Sequence, residues 1–406
     1  MKFLGKLLDF QAEAHKDIMT KKYVILAHEM GLGKSVTSLS VACSIGKPTL
    51  IICPAYLRRK WEKDDVSTFV EGGEIEILSY TELVKGLDKL KKYDTVIIDE
   101  GHYIKNLKAK RTIACHSYIF KNKPECIMVL TGTPIKNRIS EYFSLLQLCY
   151  HGGNYPEFKG FYKNYFKFCH TFSYERKYTL GSIQISKFEG LKEPQRLRTL
   201  ISPVYLRKRS LDVIELPEKN YREIVIKSRS DYDNKLEKAY SLYEENPKDV
   251  AYMTLKAANA LAKSPATTEL AQNIIDEGHS VVIFTDHVAS CSEIALTLGV
   301  TPLSGNTAQD VRDAEVTRFK KGLTKALVAT IGVLSTGENF TIANYMIIND
   351  FPFVPTDLDQ AEKRIHRIGQ KEPCFYYYIF SSPIDKKIFK MIQSKKKIID
   401  EVNNEQ

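Results

Sequence analysis

Nine short runs of mostly apolar residues, each followed by a stretch compatible with a helix, limit what this chain can fold into. Such runs are typical of strands in a parallel sheet that is covered on both faces, because both faces of each strand are then buried. The first five runs lie between residues 23 and 134, and the other four lie between residues 280 and 380. The sequence therefore predicts an α/β protein with two parallel-sheet lobes in tandem.

The region between the two groups of runs differs in composition. Residues 151–210 carry twelve lysines and arginines against four acids, an excess of +8 within the chain's formal +10, together with twelve aromatic residues. We predict a first lobe over residues 1–215, with a helical basic insert at about 141–210. The second lobe is predicted over residues 216–406, with a helical segment at about 225–275. The aromatic residues of the insert either pack a small subdomain or stack on bases, and its cations are candidates for phosphate contacts.

Several classes of protein do not fit the sequence. No apolar run approaches the roughly 18 to 20 residues of a membrane span, and charges begin too early at the N-terminus for a signal peptide. The eight cysteines are scattered without a C-x-x-C pair, so neither a zinc knuckle nor a disulfide framework is indicated. We expect an intracellular, soluble monomer, cytoplasmic or nuclear according to its host.

A glycine-rich segment, HEMGLGKS at 28–35, follows the first apolar run. Gly31 and Gly33 allow backbone N–H groups to approach phosphate oxygens at a helix N-terminus, while Lys34 supplies a positive charge and Ser35 a hydroxyl for Mg²⁺. The usual pattern of such loops begins with glycine, and His28 stands in that place. An ordinary tight turn therefore stays an alternative for this segment taken alone.

Two carboxylates, Asp99 and Glu100, end the run DTVII that starts at residue 94. At the carboxyl edge of a sheet, one acid can hold the magnesium shell while its neighbour polarises the attacking water in phosphoryl transfer. A solvated acidic pair at a strand end is the alternative. The run that leads into LTGTPIKN at 130–137 adds Thr131 and Thr133, which are placed to touch the acidic cluster.

The second lobe contains QAEKRIHRIGQ at 360–370, in which Arg364 and Arg367 would share one face of a helix with Gln360 one turn earlier. Guanidinium groups can neutralise the charge that develops on a γ-phosphate, an effect worth about 10³ to 10⁵ in rate. The alternative is that the two arginines belong to a basic helix surface that has no catalytic role.

Taken together, these segments resemble the Swi/Snf family of DNA-dependent ATPases within helicase superfamily 2. The resemblance covers nearly the whole chain, in the family's order, and looks closest to the annealing helicases and fork remodellers. The matching segments are LLDFQ (7–11), HEMGLGKS, ICPAYLRRKWEKD (52–64), ILSYTEL (77–83), DEGHYIKN (99–106), LTGTPIKN, VVIFTDH (281–287) and QAEKRIHRIGQ. Two positions depart from the family: Gly101 replaces the commoner alanine, and Leu334 with Ser335 stands where many members have paired glycines.

The resemblance implies two RecA-like lobes, use of ATP and Mg²⁺, and movement on double-stranded or branched DNA through sequence-independent backbone contacts. A strand-separating helicase on DNA or RNA, and a nucleic-acid-binding scaffold with little catalysis, stay open as alternatives. The resemblance implies that Gln11 recognises adenine and that Ser35 and Asp99 hold the metal. Glu100 would polarise the attacking water, and Arg364 and Arg367 would contact the γ-phosphate from the other lobe. The nucleotide would contact Gln11, Glu29, Met30, Gly31, Leu32, Gly33, Lys34 and Ser35. The residues that couple nucleotide state to lobe closure would be His102, Thr131, Thr133 and Gln360. The DNA contacts would be Pro54, Arg58, Tyr80, Lys136, Asn137, Thr330, Gly337 and Asn339.

Overall fold

The structure, a computed structural model, describes residues 1–132, 138–152, 155–180, 183–213, 215–226, 249–333 and 338–403. The chain divides into two compact units. The first comprises Met1–Val213 together with Lys397–Gln406, and the second comprises Ile214–Lys396.

The first unit is built on a parallel sheet of six strands in the order β10-β2-β7-β6-β3-β5. Two short strands, β1 and β4, pair antiparallel beside it, and β8 pairs with β9. The strands are β1 (Lys2–Phe3), β2 (Tyr23–Leu26), β3 (Thr49–Cys53), β4 (Val70–Glu71), β5 (Ile75–Ser79), β6 (Thr95–Ile98), β7 (Cys126–Leu130), β8 (Tyr174–Leu180), β9 (Ile183–Glu189) and β10 (Tyr205–Leu206).

Helices cover this sheet, and buried side chains on both of its faces form two apolar clusters. All residues of β3, β6 and β7 are buried, which is why their sequences are apolar at nearly every position. Helical turns at Arg58–Lys60, Trp61–Val66 and Ser67–Phe69 lead into β4. The longer helices are α1 (Asp9–Lys21), α2 (Lys34–Ile45), α3 (Tyr80–Gly86), α4 (Lys110–Asn122), α5 (Tyr142–Gly152), α6 (Tyr165–Phe172) and α7 (Pro194–Ile201).

The insert is not wholly helical, and the prediction was wrong in this respect, because β8 and β9 form an antiparallel hairpin within it. Both segments are rich in aromatic and β-branched residues and are separated by a Gly-Ser pair, which is a hairpin pattern. The prediction that aromatic residues pack a subdomain is confirmed for seven of the twelve, which are buried. They are Tyr155, Phe158, Phe161, Phe168, Phe172, Phe188 and Tyr205.

The second unit has a five-stranded sheet in the order β11-β15-β14-β12-β13, in which every paired strand is parallel. Its strands are β11 (Lys219–Val225), β12 (Val281–Thr285), β13 (Ala326–Thr330), β14 (Tyr345–Ile348) and β15 (Cys374–Phe380). Strand β11 lies within residues 141–275, where no strand was predicted. It is an edge strand with several exposed positions, so its sequence lacks an apolar run.

The helices described with this sheet are α8 (Asp249–Asp276), α9 (Val288–Thr297), α10 (Gln309–Lys320), α11 (Pro355–Glu362) and α12 (Pro383–Asn403). Helix α8 forms part of the helical segment predicted at about 225–275; residues 227–248 lie outside the described residues. All eight cysteines are buried and unpaired, as expected for a chain without a disulfide framework. Within the described ranges, no helix has the length and apolar character needed to cross a membrane.

Candidate active site

The glycine-rich loop joins the end of β2 to the start of α2. Gly31 and Gly33 have positive φ values of 83° and 69°, a backbone conformation that side chains disfavour. A Cβ added at Gly33 would lie 2.4 Å from Gln11 Nε2, so only glycine fits there. Gln11 is held in turn, since its Nε2 donates to the Leu32 carbonyl at 3.2 Å and its Oε1 accepts from the Leu8 N–H at 2.9 Å. The loop and the predicted adenine-reading glutamine therefore form one packed structure.

Lys34 lies folded over this loop. Its Nζ donates to the carbonyl oxygens of His28 at 2.9 Å and Glu29 at 3.2 Å, which places the ammonium group beside the backbone turn. Burial raises the pKa of Asp65, and the ion pair with Lys60, together with a smaller contribution from the Ser35 hydroxyl, offsets only part of this rise. Lys34 and Ser35 are thus both positioned within the first turn of α2, where phosphate and metal would be bound.

His28 is 1% exposed, and neither ring nitrogen has a hydrogen-bond partner in the part of the chain that the structure describes. Burial, followed by the charges of Lys34, Lys208 and Arg207, lowers its pKa to about 3. The imidazole is therefore neutral at pH 7. Because three cations surround one neutral ring, the potential at this loop favours an anion.

Asp99 follows β6 at the carboxyl edge of the sheet, and its side chain is partly buried. Its Oδ2 accepts from Trp61 Nε1 at 2.9 Å, and its Oδ1 accepts from the Glu100 N–H at 2.8 Å. Burial, followed by the charge of Glu100, raises the pKa of Asp99 to about 6. A divalent cation would relieve this repulsion, so the donor set, with the hydroxyl of Ser35, fits Mg²⁺.

Glu100 has φ 51° and ψ 55°, in the left-handed region that is uncommon for a residue with a side chain. Its Oε2 lies 3.1 Å from His102 Nδ1. The Tyr80 hydroxyl donates to the Asp99 carbonyl at 2.7 Å, and the Tyr80 ring stacks on Tyr103 with centroids 5.7 Å apart. These contacts hold a conformation of Glu100 that costs of order 1–3 kcal/mol, as is common at functional sites.

The two predicted arginines of the second unit lie close together, but they are not on one helix face as predicted. Helix α11 ends at Glu362, so Arg364 and Arg367 do not share a helix face and that premise was wrong. Short turns follow instead, with Arg364 N bonded to the Ala361 carbonyl and Gln370 N to that of Arg367. Both guanidinium groups nonetheless donate through Nη1 to the Glu338 carbonyl, each at 3.3 Å. The pair is thus brought together by a shared acceptor.

Comparison with known proteins gives a family for this combination of sites. The SNF2-related domain matches residues 64–274, more than half of the chain, and the helicase conserved C-terminal domain matches residues 266–369. The chain belongs to the SNF2-related family. The two parallel-sheet units accordingly are the RecA-like lobes that the sequence predicted.

Two relatives and one solved structure illustrate the similarity of this SNF2-related chain to known proteins. The Caenorhabditis elegans SWI/SNF-related matrix-associated actin-dependent regulator of chromatin subfamily A-like protein 1 homolog is 27% identical, over 94% of this chain and 59% of its own length. The Bos taurus DNA annealing helicase and endonuclease ZRANB3 is 24% identical, over 98% of this chain and 40% of its own length. The Sulfolobus solfataricus SWI2/SNF2 ATPase core in complex with dsDNA matches with a TM-score of 0.43 and 21% identity, covering 99% of this chain and 94% of that one. The chain spans about half the length of the curated relatives it matches.

Three other predicted residues of the SNF2-related chain have contacts in the structure that do not by themselves show their predicted roles. Thr131 is buried next to the loop, its N–H bonded to the Leu26 carbonyl at 3.1 Å, and Gln360 is buried in α11. Arg58 forms ion pairs with Glu62 and Glu82. Thr133, Lys136, Asn137, Gly337, Leu334 and Ser335 lie outside the described residues.

Of the remaining candidates for DNA contact, Pro54 and Tyr80 line one open cavity of about 500 Å³ with Tyr56 and Tyr103. Thr330, in the second unit, is buried and donates its N–H to the Leu303 carbonyl at 2.9 Å. Asn339 accepts the Thr341 N–H at 3.1 Å through Oδ1. Among the described residues, the candidates that line a common cavity are thus Pro54 and Tyr80.

Sequence reasoning missed Trp61, whose indole holds Asp99, and Asp65, which bonds Ser35. It also missed the Glu338 carbonyl that joins the arginines. The only signal for Trp61 was that it is the single tryptophan of the chain. For the other two residues the sequence carries no signal that we recognise.

Proposed function

We propose that this chain is an ATP-dependent motor that moves along double-stranded or branched DNA. The observation that carries the proposal is the arrangement at the carboxyl edge of the first sheet. Strands β2, β7 and β6 are adjacent there, and they are followed by the Lys34 loop, Thr131 and the Asp99–Glu100 pair respectively. This order brings a phosphate-binding loop next to two partly buried carboxylates, as phosphoryl transfer requires.

In the proposed reaction, Gln11 recognises the adenine and the loop N–H groups bind the phosphates with Lys34. Glu100 orients and polarises the attacking water, and His102, 3.1 Å from that carboxylate, fixes its position. Mg²⁺, held by Ser35 and Asp99, would neutralise charge on the phosphate oxygens. In this proposal the groups that bind the nucleotide, hold the metal and orient the water all lie within the first unit.

Arg364 and Arg367 are proposed to stabilise the charge that develops on the γ-phosphate. The two guanidinium groups share the Glu338 carbonyl as an acceptor, and the charge of Glu338 also acts on Arg367. If the arginines bind the triphosphate more tightly than the diphosphate, each hydrolysis event changes the preferred arrangement of the two units. That difference in affinity is the source of movement, and Thr131, Thr133 and Gln360 would transmit it.

The DNA is proposed to be contacted through its phosphates, without sequence preference. The relative named as a DNA annealing helicase supports branched DNA as the substrate and a role in repair or replication. Pro54 and Tyr80, beside the cavity next to Asp99, are the contacts that the first unit supports best. Lys136, Asn137, Thr330, Gly337 and Asn339 remain further candidates.

The test is the rate of ATP hydrolysis with blunt duplex DNA, single-stranded DNA, a forked duplex or RNA. We expect a low basal rate and a rise of at least about tenfold with duplex DNA. Glu100→Gln should lower that rate by about 10²- to 10⁴-fold while nucleotide binding persists, because only the polarisation of water is lost.

The matched control is Glu71→Gln, an exposed glutamate of the same unit, which should leave the stimulated rate unchanged. A rate that no nucleic acid alters would refute the motor. Strong stimulation by single strands alone, with rapid displacement of a strand, would indicate a strand-separating helicase instead.

A further inference from the structure

Five aromatic side chains lie on helices α4, α5 and α6 of the first unit and on the turn before α6, and we name them the aromatic strip. They are Phe120, His151, Tyr162, Tyr165 and Phe166. Ring centroids lie 5.4 Å apart for Phe120 and His151, 5.4 Å for His151 and Tyr162, and 5.7 Å for Tyr165 and Phe166. His151 and Tyr165 line the same cavity of about 360 Å³, which joins the two ends of the strip.

The two end rings are exposed to an extent that packing does not explain. Phe120 is 60% exposed and Phe166 is 63% exposed, whereas seven other aromatic residues of the insert are buried. The subdomain core is therefore complete without these two rings. Two phenylalanine faces left in water are free to stack on a planar ligand.

The surroundings of the strip are strongly basic. Residues 101–124, which include α4, carry six lysines and arginines and no aspartate or glutamate. Around α6, Lys159, Lys163 and Lys167 are exposed, and the nearest acids in sequence are Glu157 and Glu175. Lys163 Nζ lies 5.5 Å from the centre of the Tyr162 ring. Cations interleaved with aromatic rings suit a ligand that alternates phosphates and planar bases.

The cavity in the middle of the strip is lined by two histidines, His116 and His151, whose rings lie 5.5 Å apart. Burial lowers the pKa of both, to about 3 for His116, with a smaller contribution from Lys163 at His151. Both imidazoles are thus neutral at pH 7. His116 Nδ1 is buried and has no hydrogen-bond partner among the described residues, which leaves a polar atom for a base edge.

From this arrangement we propose that the aromatic strip binds a single-stranded arm of branched DNA, with bases stacked on Phe120 and Phe166 and phosphates on the surrounding lysines. This inference deepens the proposed function, since a duplex alone has no unpaired bases to stack. An acidic protein segment would be a different occupant, but it would gain as much from aliphatic side chains as from rings. Within the strip every member is a ring, which favours bases.

The test compares three double variants of the end rings. Phe120→Ala with Phe166→Ala removes both rings, Phe120→Leu with Phe166→Leu keeps apolar area without a stacking face, and Phe120→Tyr with Phe166→Tyr keeps the rings. The probes are a fluorescent (dT)20 strand, a forked duplex with either a 3′ or a 5′ arm, and a blunt duplex, each titrated by fluorescence anisotropy. The rings are exposed, so the variants are expected to fold, and thermal melting checks that they do.

We expect the Ala and Leu variants to lose about 10- to 100-fold in affinity for (dT)20 and for the forks, given roughly five- to hundredfold per stacked base. The Tyr variant should bind within about threefold of the wild type. Affinity for blunt duplex, and hydrolysis stimulated by it, should change by less than threefold in all variants.

Equal affinities across all variants would overturn the inference. It would also be overturned if the Leu variant bound (dT)20 like the wild type and only the Ala variant lost binding, because that result would indicate apolar contact without stacking. These results are separable from failure of the proposed motor. If duplex DNA does not stimulate hydrolysis but (dT)20 binding depends on the rings, the strip stands without the motor. If hydrolysis is stimulated but binding ignores the rings, only the strip is refuted.

Discussion

Both units carry aspartates near the carboxyl ends of their sheets, partly buried in the first unit and buried in the second, but they balance those charges differently. In the first unit, Asp99 accepts hydrogen bonds from Trp61 and from a backbone N–H, and within the described ranges it has no ion pair. In the second unit, Asp385 pairs with Lys263 at 2.8 Å and Asp350 with His287 at 2.8 Å, and all four side chains are at most 16% exposed.

The difference shows which edge is built for a ligand. The aspartates of the second unit are paired within the chain, so they do not need a bound cation. Hydrogen bonds to Asp385 also connect α8 with α12 beside the second sheet. Even a partly buried carboxylate is costly without a paired cation, unless an ion arrives with the substrate. The paired aspartates of the second unit therefore stabilise its fold, whereas Asp99 of the first unit can bind a metal ion.

The largest effect that would sharpen this comparison is expected at Lys263. Its side chain is fully buried, and its Nζ donates to Asp385 and to the Ile379 carbonyl. Lys263→Met leaves Asp385 buried without its cation, so the free energy of unfolding of the second unit should fall by about 3–5 kcal/mol. Urea denaturation measures it.

The control for Lys263 is Lys320→Met, which removes an exposed lysine paired with Glu338 in the same unit. An exposed pair contributes about 0–1 kcal/mol, so this variant should be nearly as stable as the wild type. Equal losses in the two variants would show that burial of the pair has no special weight.

An intermediate effect is expected from acid. Burial would raise the pKa of Asp350, but the hydrogen bond from His287 and the charges of His287, Lys256 and Lys263 together lower it well below its usual range. The folded state therefore favours the charged form, so this contribution is complete above about pH 5 and is lost as the pH falls below about 4.

Comparison of the wild type with Asp350→Asn isolates that contribution. The variant should be less stable at pH 7, and its unfolding free energy should decline less steeply between about pH 5 and pH 3. Denaturation in urea across that range provides the measurement. Parallel pH profiles for the two proteins would mean that Asp350 is not the group that titrates.

The smallest expected change in the free energy of unfolding is a gain in stability, and it is expected for a substitution at Asp99. Burial raises the pKa of this carboxyl to about 6, so the charged form that prevails at pH 7 costs stability in the folded protein. Asp99→Asn should stabilise the nucleotide-free protein by about 1 kcal/mol while it removes the extra stability that ATP and Mg²⁺ confer. Thermal melting with and without nucleotide measures both changes, and a loss of stability without nucleotide would contradict them.

The sequence predicted those parts of the molecule whose signals are local. Apolar runs indicated β2, β3, β6 and β7, and residues that follow them, Lys34 and Asp99, lie at the predicted sheet edge. Edge strand β11 and the β8–β9 hairpin were missed because exposed strands lack such runs. Contacts such as Trp61 with Asp99, 38 residues apart, depend on tertiary packing that no short pattern encodes.

The most direct measurement is the hydrolysis of ATP by Arg367→Ala in the presence of duplex DNA, because it asks whether a site in the first unit depends on the second. If Arg367 stabilises the transition state, the stimulated rate falls by about 10³-fold or more while the affinity for nucleotide changes by less than about threefold. Arg318→Ala, an exposed arginine of the same unit, should retain the wild-type rate. A rate for Arg367→Ala within tenfold of the wild type would contradict the proposal that both units act on one triphosphate.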